Sequence, residues 1–128
     1  MLRHIVTRWH GEVEYTDEFE AWWTDLSDDQ QERLTAGVEK LEETGPTLGR
    51  PYVDTLTNSD LANLKELRIT ADGSHLRVLF AFDPVRVAIL LLGGDKTGDW
   101  EGWYQEAIPK AERLYDEHLD ELRKEGLI

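Results

Sequence analysis

The residues that decide the fold lie in the middle of the chain, in the runs Asn63-Leu-Lys-Glu-Leu-Arg68, Leu76-Arg-Val-Leu-Phe-Ala-Phe82, Val85 to Leu92 and Gly93-Gly-Asp-Lys-Thr-Gly98. The first three runs are rich in aliphatic and aromatic residues and are bounded by turn-forming residues, which is typical of β-strands. They predict three strands, at roughly 63–70, 75–82 and 85–92. The fourth run is a glycine-rich turn that leads from the last strand into a helix.

The connections between these strands are short. Asp72-Gly73 and Asp83-Pro84 are turn sequences, so a meander of antiparallel hairpins is the simplest pairing. The strand at 85–92 is apolar on both faces, with Val87, Ile89 and Leu91 alternating with Ala88, Leu90 and Leu92. This pattern predicts a central strand that is covered on both sides for much of its length.

One strand and two helices are expected before these three strands. Residues 3–9 have the alternating pattern that predicts a strand, and a turn near Gly11 follows it. Thr16 is a suitable N-cap for a short helix from Asp17 to Leu26. Ser27-Asp-Asp-Gln30 is a capping box that opens a second helix, which Gly45-Pro46 ends. The two helices are expected to be antiparallel.

The rest of the chain completes an α+β fold. Residues 46–62 are rich in Pro, Gly, Asn, Asp and Thr and predict a loop. From Trp100 an apolar stripe of helical period extends to about residue 124, and Pro109 predicts a kink or a break within it. The predicted order is β-α-α-β-β-β-α, with an antiparallel, mixed-edge sheet of about four strands, two N-terminal helices and a long C-terminal helix.

Composition limits the class of protein. The chain has 128 residues, a formal net charge of -13 and no cysteine, so disulfides and thiolate metal sites are impossible. Its length fits a single domain, residues 1–128. The N-terminus lacks the apolar region of a signal peptide, and the longest apolar run, Val87 to Leu92, is too short to cross a bilayer. We expect a cytoplasmic protein with no membrane partner.

The negative charge is unevenly distributed along the chain. From Leu48 to Lys96 there are six basic and six acidic residues, so the two flanks carry the whole net charge of -13. This overall field opposes non-specific binding to a polyanion. Any contact with nucleic acid must therefore use a local basic site or depend on a partner.

The basic residues of the strands are the clearest candidates for such a site. Arg68 and Arg77 lie on strands that should be neighbours, while Lys65 lies on the opposite pleat face from Arg68. One of these arginines could face a groove. The alternative is structural, with the charges protecting a sheet edge and forming salt bridges to Glu66 and Asp72.

Three further side chains are candidates, and each of them also has a structural explanation. Lys96 lies in the glycine-rich turn near a helix N-terminus, which is a natural phosphate site. Trp103 and Tyr104 fit the apolar stripe of the last helix, although a Tyr can pack its ring and still present its hydroxyl. The four His have no ligand-like spacing, so no metal and no cofactor are expected.

With these segments identified, the chain resembles the RelE/ParE superfamily of toxins from toxin–antitoxin systems, and most closely its phage-derived, HigB-like branch. The resemblance rests on family-like order and spacing of the segments Thr16-Asp-Glu-Phe-Glu-Ala-Trp22, Gly45-Pro-Thr-Leu-Gly-Arg-Pro-Tyr-Val-Asp54, Asn63-Leu-Lys-Glu-Leu-Arg68, Arg77-Val-Leu-Phe-Ala-Phe82, Gly94-Asp-Lys96 and Trp103-Tyr104. The predicted element order also matches the small α+β fold of that superfamily.

The resemblance implies a ribosome-dependent, metal-independent mRNA endoribonuclease, or mRNA interferase, which leaves a 2′,3′-cyclic phosphate. Its implied partners are the ribosome, mRNA and a helix-turn-helix antitoxin. The residues matched to catalysis are Arg68 and Arg77 as phosphate clamps, with Lys65 or Lys96 in support, and Tyr104 as base or base-stacking ring. Those matched to phosphate or RNA binding are Lys96, Arg50 and Trp103. This chain departs from many such ribonucleases in its acidity and its long C-terminal helix.

Two other functions remain open from sequence. One is a non-enzymatic, ParE-like toxin that binds gyrase through protein contacts and tolerates an acidic surface. The other is an inactive relative that only binds its antitoxin.

Overall fold

The structure is a computed structural model that describes residues 3–5, 12–61, 63–98 and 100–128. Its helices and strands follow the order β1 (Arg3–Ile5), β2 (Glu12–Tyr15), α1 (Asp17–Thr24), α2 (Asp28–Thr44), a short 3-10 helix (Gly45–Thr47), β3 (Val53–Thr55), β4 (Lys65–Ala71), β5 (Ser74–Phe82), β6 (Val87–Asp95) and α3 (Trp100–Lys124). The α+β fold, with two N-terminal helices and a long C-terminal helix, is confirmed.

The strands form one six-stranded sheet in the order β1-β2-β6-β5-β4-β3. Neighbouring strands are antiparallel except β2 and β6, which are parallel, so the sheet is mixed. The meander β4-β5-β6 is confirmed. So is the interior position of β6, whose residues Ala88, Ile89, Leu90 and Leu91 are fully buried.

The sheet has more strands than the four expected. Residues Glu12–Tyr15 form a second strand between the expected strand at 3–9 and the first helix, where only a turn was expected. Val53–Thr55 form another strand within the expected loop 46–62. Both segments are only three or four residues long, and each is stabilised by pairing with a longer strand. Arg3–Ile5 confirms part of the strand expected at 3–9. Residues 6–9 and the turn near Gly11 lie outside the described residues.

The helix ends follow the signals in the sequence. The Thr16 hydroxyl accepts a hydrogen bond from the Phe19 N–H and so caps α1. Ser27 and Gln30 form both bonds of a capping box at the start of α2, and Gly45, with φ 73°, ends that helix. Pro109 does not break α3, which remains one helix from Trp100 to Lys124. Pro109 is exposed and lies within this continuous helix.

Helices cover the two faces of the sheet separately. Phe19 of α1 and Leu34, Val38 and Leu41 of α2 form a core with residues of one face of the sheet. On the other face, α3 buries Ala107, Ile108, Ala111, Leu114 and Tyr115 against Leu79, Ala81, Ile89 and Leu91. We call this second side the α3 face. No described helix combines the length and the apolar character that a membrane-spanning helix requires.

A β-bulge in β6 determines which of the later residues of this strand have side chains on the α3 face. The register between β5 and β6 shifts at Leu79 and Phe80, where the extra residue lies on β6. Because side chains alternate with period two, one inserted residue exchanges the faces of all that follow. Gly93 therefore lies beside Trp22 of α1 and Gly94 beside Trp103 of α3. The same shift places Lys96 on the α3 face.

Candidate functional site

Arg68 and Arg77 are directly opposite one another on neighbouring strands β4 and β5. Residues that are paired in this way share a face of the sheet, and for these two it is the α3 face. Two like charges in direct register destabilise a sheet unless a counter-charge lies between them. That counter-charge is Glu66, two residues before Arg68 on the same face.

Glu66 is a buried carboxylate at the centre of the site, with 1% of its surface exposed. Its Oε1 accepts a hydrogen bond from Arg68 Nε at 3.0 Å and lies 3.9 Å from Arg77 Nε. Its Oε2 accepts a hydrogen bond from the Tyr104 hydroxyl at 2.6 Å. One carboxylate thus holds side chains from β4, β5 and α3 together.

The Arg77 guanidinium is buried and only partly satisfied. Its Nη1 donates to the Leu76 carbonyl oxygen at 2.8 Å, and the residue is 8% exposed. Its Nε is buried and has no hydrogen-bond partner among the described residues, since 3.9 Å to Glu66 is too long for a hydrogen bond. A buried N–H without an acceptor is costly, so this atom could hydrogen-bond an incoming anion.

Tyr104 is held protonated. Burial, followed by its hydrogen bond to Glu66, raises the pKa of Tyr104 to about 12 from an ordinary 10.0. The phenol is therefore a hydrogen-bond donor at neutral pH and a poor base. Its ring meets Trp103 edge-on at 5.0 Å between centroids.

Lys96 completes the cluster from the end of β6. Its ammonium Nζ lies 5.5 Å from the centroid of the Tyr104 ring, in a cation–π contact. Burial, reinforced by the charge of Arg77, lowers the pKa of Lys96 from an ordinary 10.5. Its amine loses a proton more readily than that of an exposed lysine.

Arg50 lies at the rim of the site and is linked to it through Asp54. The Asp54 carboxylate accepts a hydrogen bond from Arg50 at 2.9 Å and from Arg68 at 3.2 Å. The Arg50 side chain is 73% exposed, so its ion pair with Asp54 contributes little stability.

The cluster as a whole has a local positive charge in a chain of net charge -13. Its four basic residues, Arg50, Arg68, Arg77 and Lys96, outnumber the two carboxylates of Asp54 and Glu66.

The structure separates Lys65 from the other candidates. Lys65 lies on the opposite pleat face from Arg68, as expected, and its Nζ donates to the Thr55 hydroxyl at 3.2 Å. Arg68, Arg77, Lys96, Trp103 and Tyr104 share the α3 face. The site thus brings together all the candidates except Lys65, with Arg50 at its rim.

The structural alternative also holds in part. Arg68 does form a salt bridge with Glu66, whereas Asp72 accepts a hydrogen bond from the Ser27 hydroxyl. Arg68 cannot be protecting a sheet edge, because β4 lies between β3 and β5. Glu66 was expected only as a salt-bridge partner, and the sequence did not indicate that it lies at the centre of the site. Its period-two spacing from Arg68 on the same strand was the signal that placed both side chains on one face.

The chemistry of this cluster suits a phosphate group. Two guanidinium groups and an ammonium can contact its oxygens, and a neutral phenol beside them can donate a proton. Among the described residues, no group of three or more His, Asp or Glu could hold a metal ion.

The family model "Phage derived protein Gp49-like (DUF891)" matches residues 21–116, a range that includes the whole cluster. The chain belongs to this Gp49-like family. This confirms the phage-derived branch that the sequence motifs indicated.

Two curated proteins of Mycobacterium tuberculosis resemble this Gp49-like chain. "Putative toxin HigB3" is 49% identical over 100 residues, which cover 78% of this chain and 86% of that protein. "Putative toxin HigB2" is 46% identical over 112 residues, which cover 87% of this chain and 54% of that protein. The chain thus spans about half the length of HigB2. No solved structure matches the chain.

Proposed function

We propose that this Gp49-like protein is the toxin of a type II toxin–antitoxin system and cleaves mRNA on the ribosome. The two curated relatives are named as HigB toxins, and the family match covers the residues of the cluster. The observation that carries the enzymatic part is the convergence of Arg68, Arg77, Lys96 and Tyr104 on one sheet face.

The reaction would be an internal transfer at an RNA phosphodiester. The 2′-oxygen forms a bond to phosphorus, the bond from phosphorus to the 5′-oxygen breaks, and the products carry a 2′,3′-cyclic phosphate and a 5′-hydroxyl. The reaction needs a base at the 2′-hydroxyl, cations around the phosphorane and an acid at the leaving oxygen. All three can come from side chains of the cluster.

Arg68 and Arg77 would stabilise the phosphorane. Arginine presents a planar set of donors that matches the oxygens of a phosphate. The buried Nε of Arg77 is suited to this because it has no hydrogen-bond acceptor among the described residues. A donor that is already oriented contributes most when negative charge develops in the transition state.

The raised pKa of Tyr104 favours the role of acid for its phenol, whereas the family resemblance suggested a base or a base-stacking ring. Tyr104 would give its proton to the 5′-oxygen. Burial lowers the pKa of Lys96, and in its deprotonated form the Lys96 amine would accept the 2′-hydroxyl proton. The ammonium formed in this way would then contact the phosphorane oxygens. Lys96 lies over the ring of Tyr104, and it can return this proton to the phenolate after cleavage.

Glu66 would act as a positioning residue. Its carboxylate accepts hydrogen bonds from Arg68 and Tyr104 and so keeps both side chains in place. The same carboxylate would compete with the phosphate of the substrate for these two groups. Binding of the phosphodiester would shift the Tyr104 hydroxyl from Glu66 to the substrate.

A protein toxin of this type requires a neutralising partner, which we propose to be a helix-turn-helix antitoxin. One observation favours a non-enzymatic toxin instead. The contacts of Glu66 with Arg68, Arg77 and Tyr104 account for the cluster as a structural ion-pair network. A ParE-like gyrase-binding toxin or an inactive antitoxin-binding relative would need no more than this.

Inducible expression in bacteria, followed by mapping of RNA 5′ ends shortly after induction, tests the proposal. We expect growth arrest with new cuts inside translated messages, and we expect these cuts to disappear when translation is blocked. Arrest with intact messages and gyrase-dependent DNA damage would instead establish the gyrase-binding toxin. The absence of any arrest would indicate the inactive relative.

A further inference from the structure

A second concave site lies on the α3 face, towards the C-terminal end of α3. It is a groove of about 880 Å³ between β2, the β5–β6 turn and the last turns of α3. Seven of its fourteen lining residues are carboxylates, among them Glu18, Glu117, Glu121 and Glu125, and none of the described lining residues is Lys or Arg. Asp83 is bonded to His118, and Glu121 is ion-paired with Lys124. The negative charge of the groove therefore rests mainly on Glu18, Glu117 and Glu125.

The groove is not only acidic. Four large apolar side chains are exposed among the described residues, namely Tyr52, Val85, Leu127 and Ile128. Two of these, Val85 and Leu127, line the groove, together with the buried side chains of Leu114 and Leu122. Exposed apolar surface surrounded by charge is typical of a protein interaction site.

A buried polar atom lies in the same place. His118 lines the groove and is 4% exposed. Its Nε2 lies 2.7 Å from Asp83 Oδ2, but its Nδ1 has no hydrogen-bond partner among the described residues. Asp83 Oδ1 meanwhile accepts hydrogen bonds from the Val85 and Val87 N–H groups, which fixes the turn beside His118. The wall of the groove thus contains a buried ring nitrogen without a hydrogen-bond partner among the described residues.

We propose that this groove is the docking surface for a cationic, amphipathic segment of the antitoxin, an inference that rests on the proposed function. Arg and Lys side chains of such a segment would lie against the carboxylates, and its apolar side chains would cover Val85 and Leu127. The charge argues for this occupant, because a helix-turn-helix protein carries Lys and Arg for DNA phosphates. The same charge repels RNA.

The position of the groove separates it from the phosphate site. Tyr104 lies near the start of α3 and Glu117 thirteen residues later, which is about 20 Å along the helix at 1.5 Å per residue. Most of the lining residues also lie outside residues 21–116, so membership of the family assigns the groove no role. An antitoxin segment could bind here without contacting the catalytic cluster.

Charge reversal in the groove tests the proposal. The variant Glu117→Lys/Glu125→Lys changes two exposed carboxylates of the groove. The matched control Glu32→Lys/Glu43→Lys makes the same change in charge at exposed positions of α2, on the opposite side of the sheet. The full chain would be titrated with the purified antitoxin encoded beside it, at low and high salt, after circular dichroism has shown that each variant is folded.

We expect the groove variant to bind at least about tenfold more weakly than the control variant, because like charges at an interface cost several kcal/mol. We also expect its affinity to depend less on salt. Equal affinities for the two variants would overturn the groove assignment and leave the nuclease proposal intact. No binding of the unmodified chain would overturn the groove assignment too. RNA cleavage, measured separately, would then decide whether the proposed activity also fails.

Discussion

Tyr104 donates a 2.6 Å hydrogen bond to Glu66 and so joins the first turns of α3 to the central strands. The same carboxylate binds Arg68 and lies near Arg77. In the absence of substrate, Glu66 therefore orders both the cations that would bind a phosphate and the phenol that would protonate the leaving group.

Replacement of Glu66 should lower the free energy of unfolding, and the loss should be larger when both the charge and the hydrogen bonds are removed. Glu66→Ala leaves Arg77 without its nearby carboxylate, and loss of one partner of a buried ion pair costs about 3–5 kcal/mol of unfolding free energy. Glu66→Gln keeps the shape and part of the hydrogen bonding, so about 1–3 kcal/mol is expected. Urea unfolding measures both values.

Glu43→Ala is the control for this series, because Glu43 is exposed on α2 and should change the free energy of unfolding by no more than about 0.5 kcal/mol. A loss of similar size for Glu66→Ala and Glu43→Ala would show that Glu66 does not organise the cluster.

The pKa of Tyr104 gives a prediction with a defined sign. Between pH 10 and 12 the unfolded state loses the phenol proton while the folded state keeps it, since folding raises this pKa to about 12. The stability from Tyr104 is therefore fully present below pH 10 and is lost as pH rises through 12. The difference in phenolate absorbance between the native chain and Tyr104→Phe should have its midpoint near pH 12.

Glu66→Gln should lower that midpoint, because the negative charge of Glu66 contributes to the raised pKa of Tyr104. A midpoint near pH 10 in the unmodified chain would contradict both the burial of the Tyr104 phenol and its hydrogen bond to Glu66.

Two adjacent glycines provide a matched test of the two faces. A Cβ at Gly94 would clash with the ring of Trp103, and a Cβ at Gly93 would clash with the ring of Trp22. Overpacking of this kind costs about 1–3 kcal/mol, so Gly93→Ala and Gly94→Ala should both be less stable. Only Gly94→Ala should impair RNA cleavage at equal folded fraction, because it displaces Trp103 beside Tyr104. Equal RNA cleavage by the two variants would show that Trp103 has no role in the site.

Much of the fold could be predicted because its signals are local. Thr16, Ser27 and Gly45 bound the first two helices, and Asp72-Gly73 indicated the hairpin that places Arg68 opposite Arg77. The strands at Glu12–Tyr15 and Val53–Thr55 could not be predicted in this way. They are short, and their strand conformation depends on pairing with distant residues of β6 and β4.

The site was less predictable than the fold. Glu66 is one of 27 acidic residues. The sequence named it as a salt-bridge partner, but its burial between two arginines, which makes it central, is visible only in the fold. The face on which Lys96 lies depends on the register shift in β6, and an extra residue in a strand of uniform apolar composition leaves no mark in the sequence. The separation of Lys65 from Arg68, by contrast, followed from strand alternation alone.

The most direct test of the central claim is cleavage of a defined message in a translating extract, with the unmodified chain and with Arg68→Ala/Arg77→Ala compared at equal folded concentration. We predict that the unmodified chain leaves 2′,3′-cyclic phosphate ends and that the double variant is at least about 100-fold slower, because removing a single transition-state donor costs a factor of about 10²–10³. Full cleavage by the folded double variant would contradict the assignment of the phosphate site.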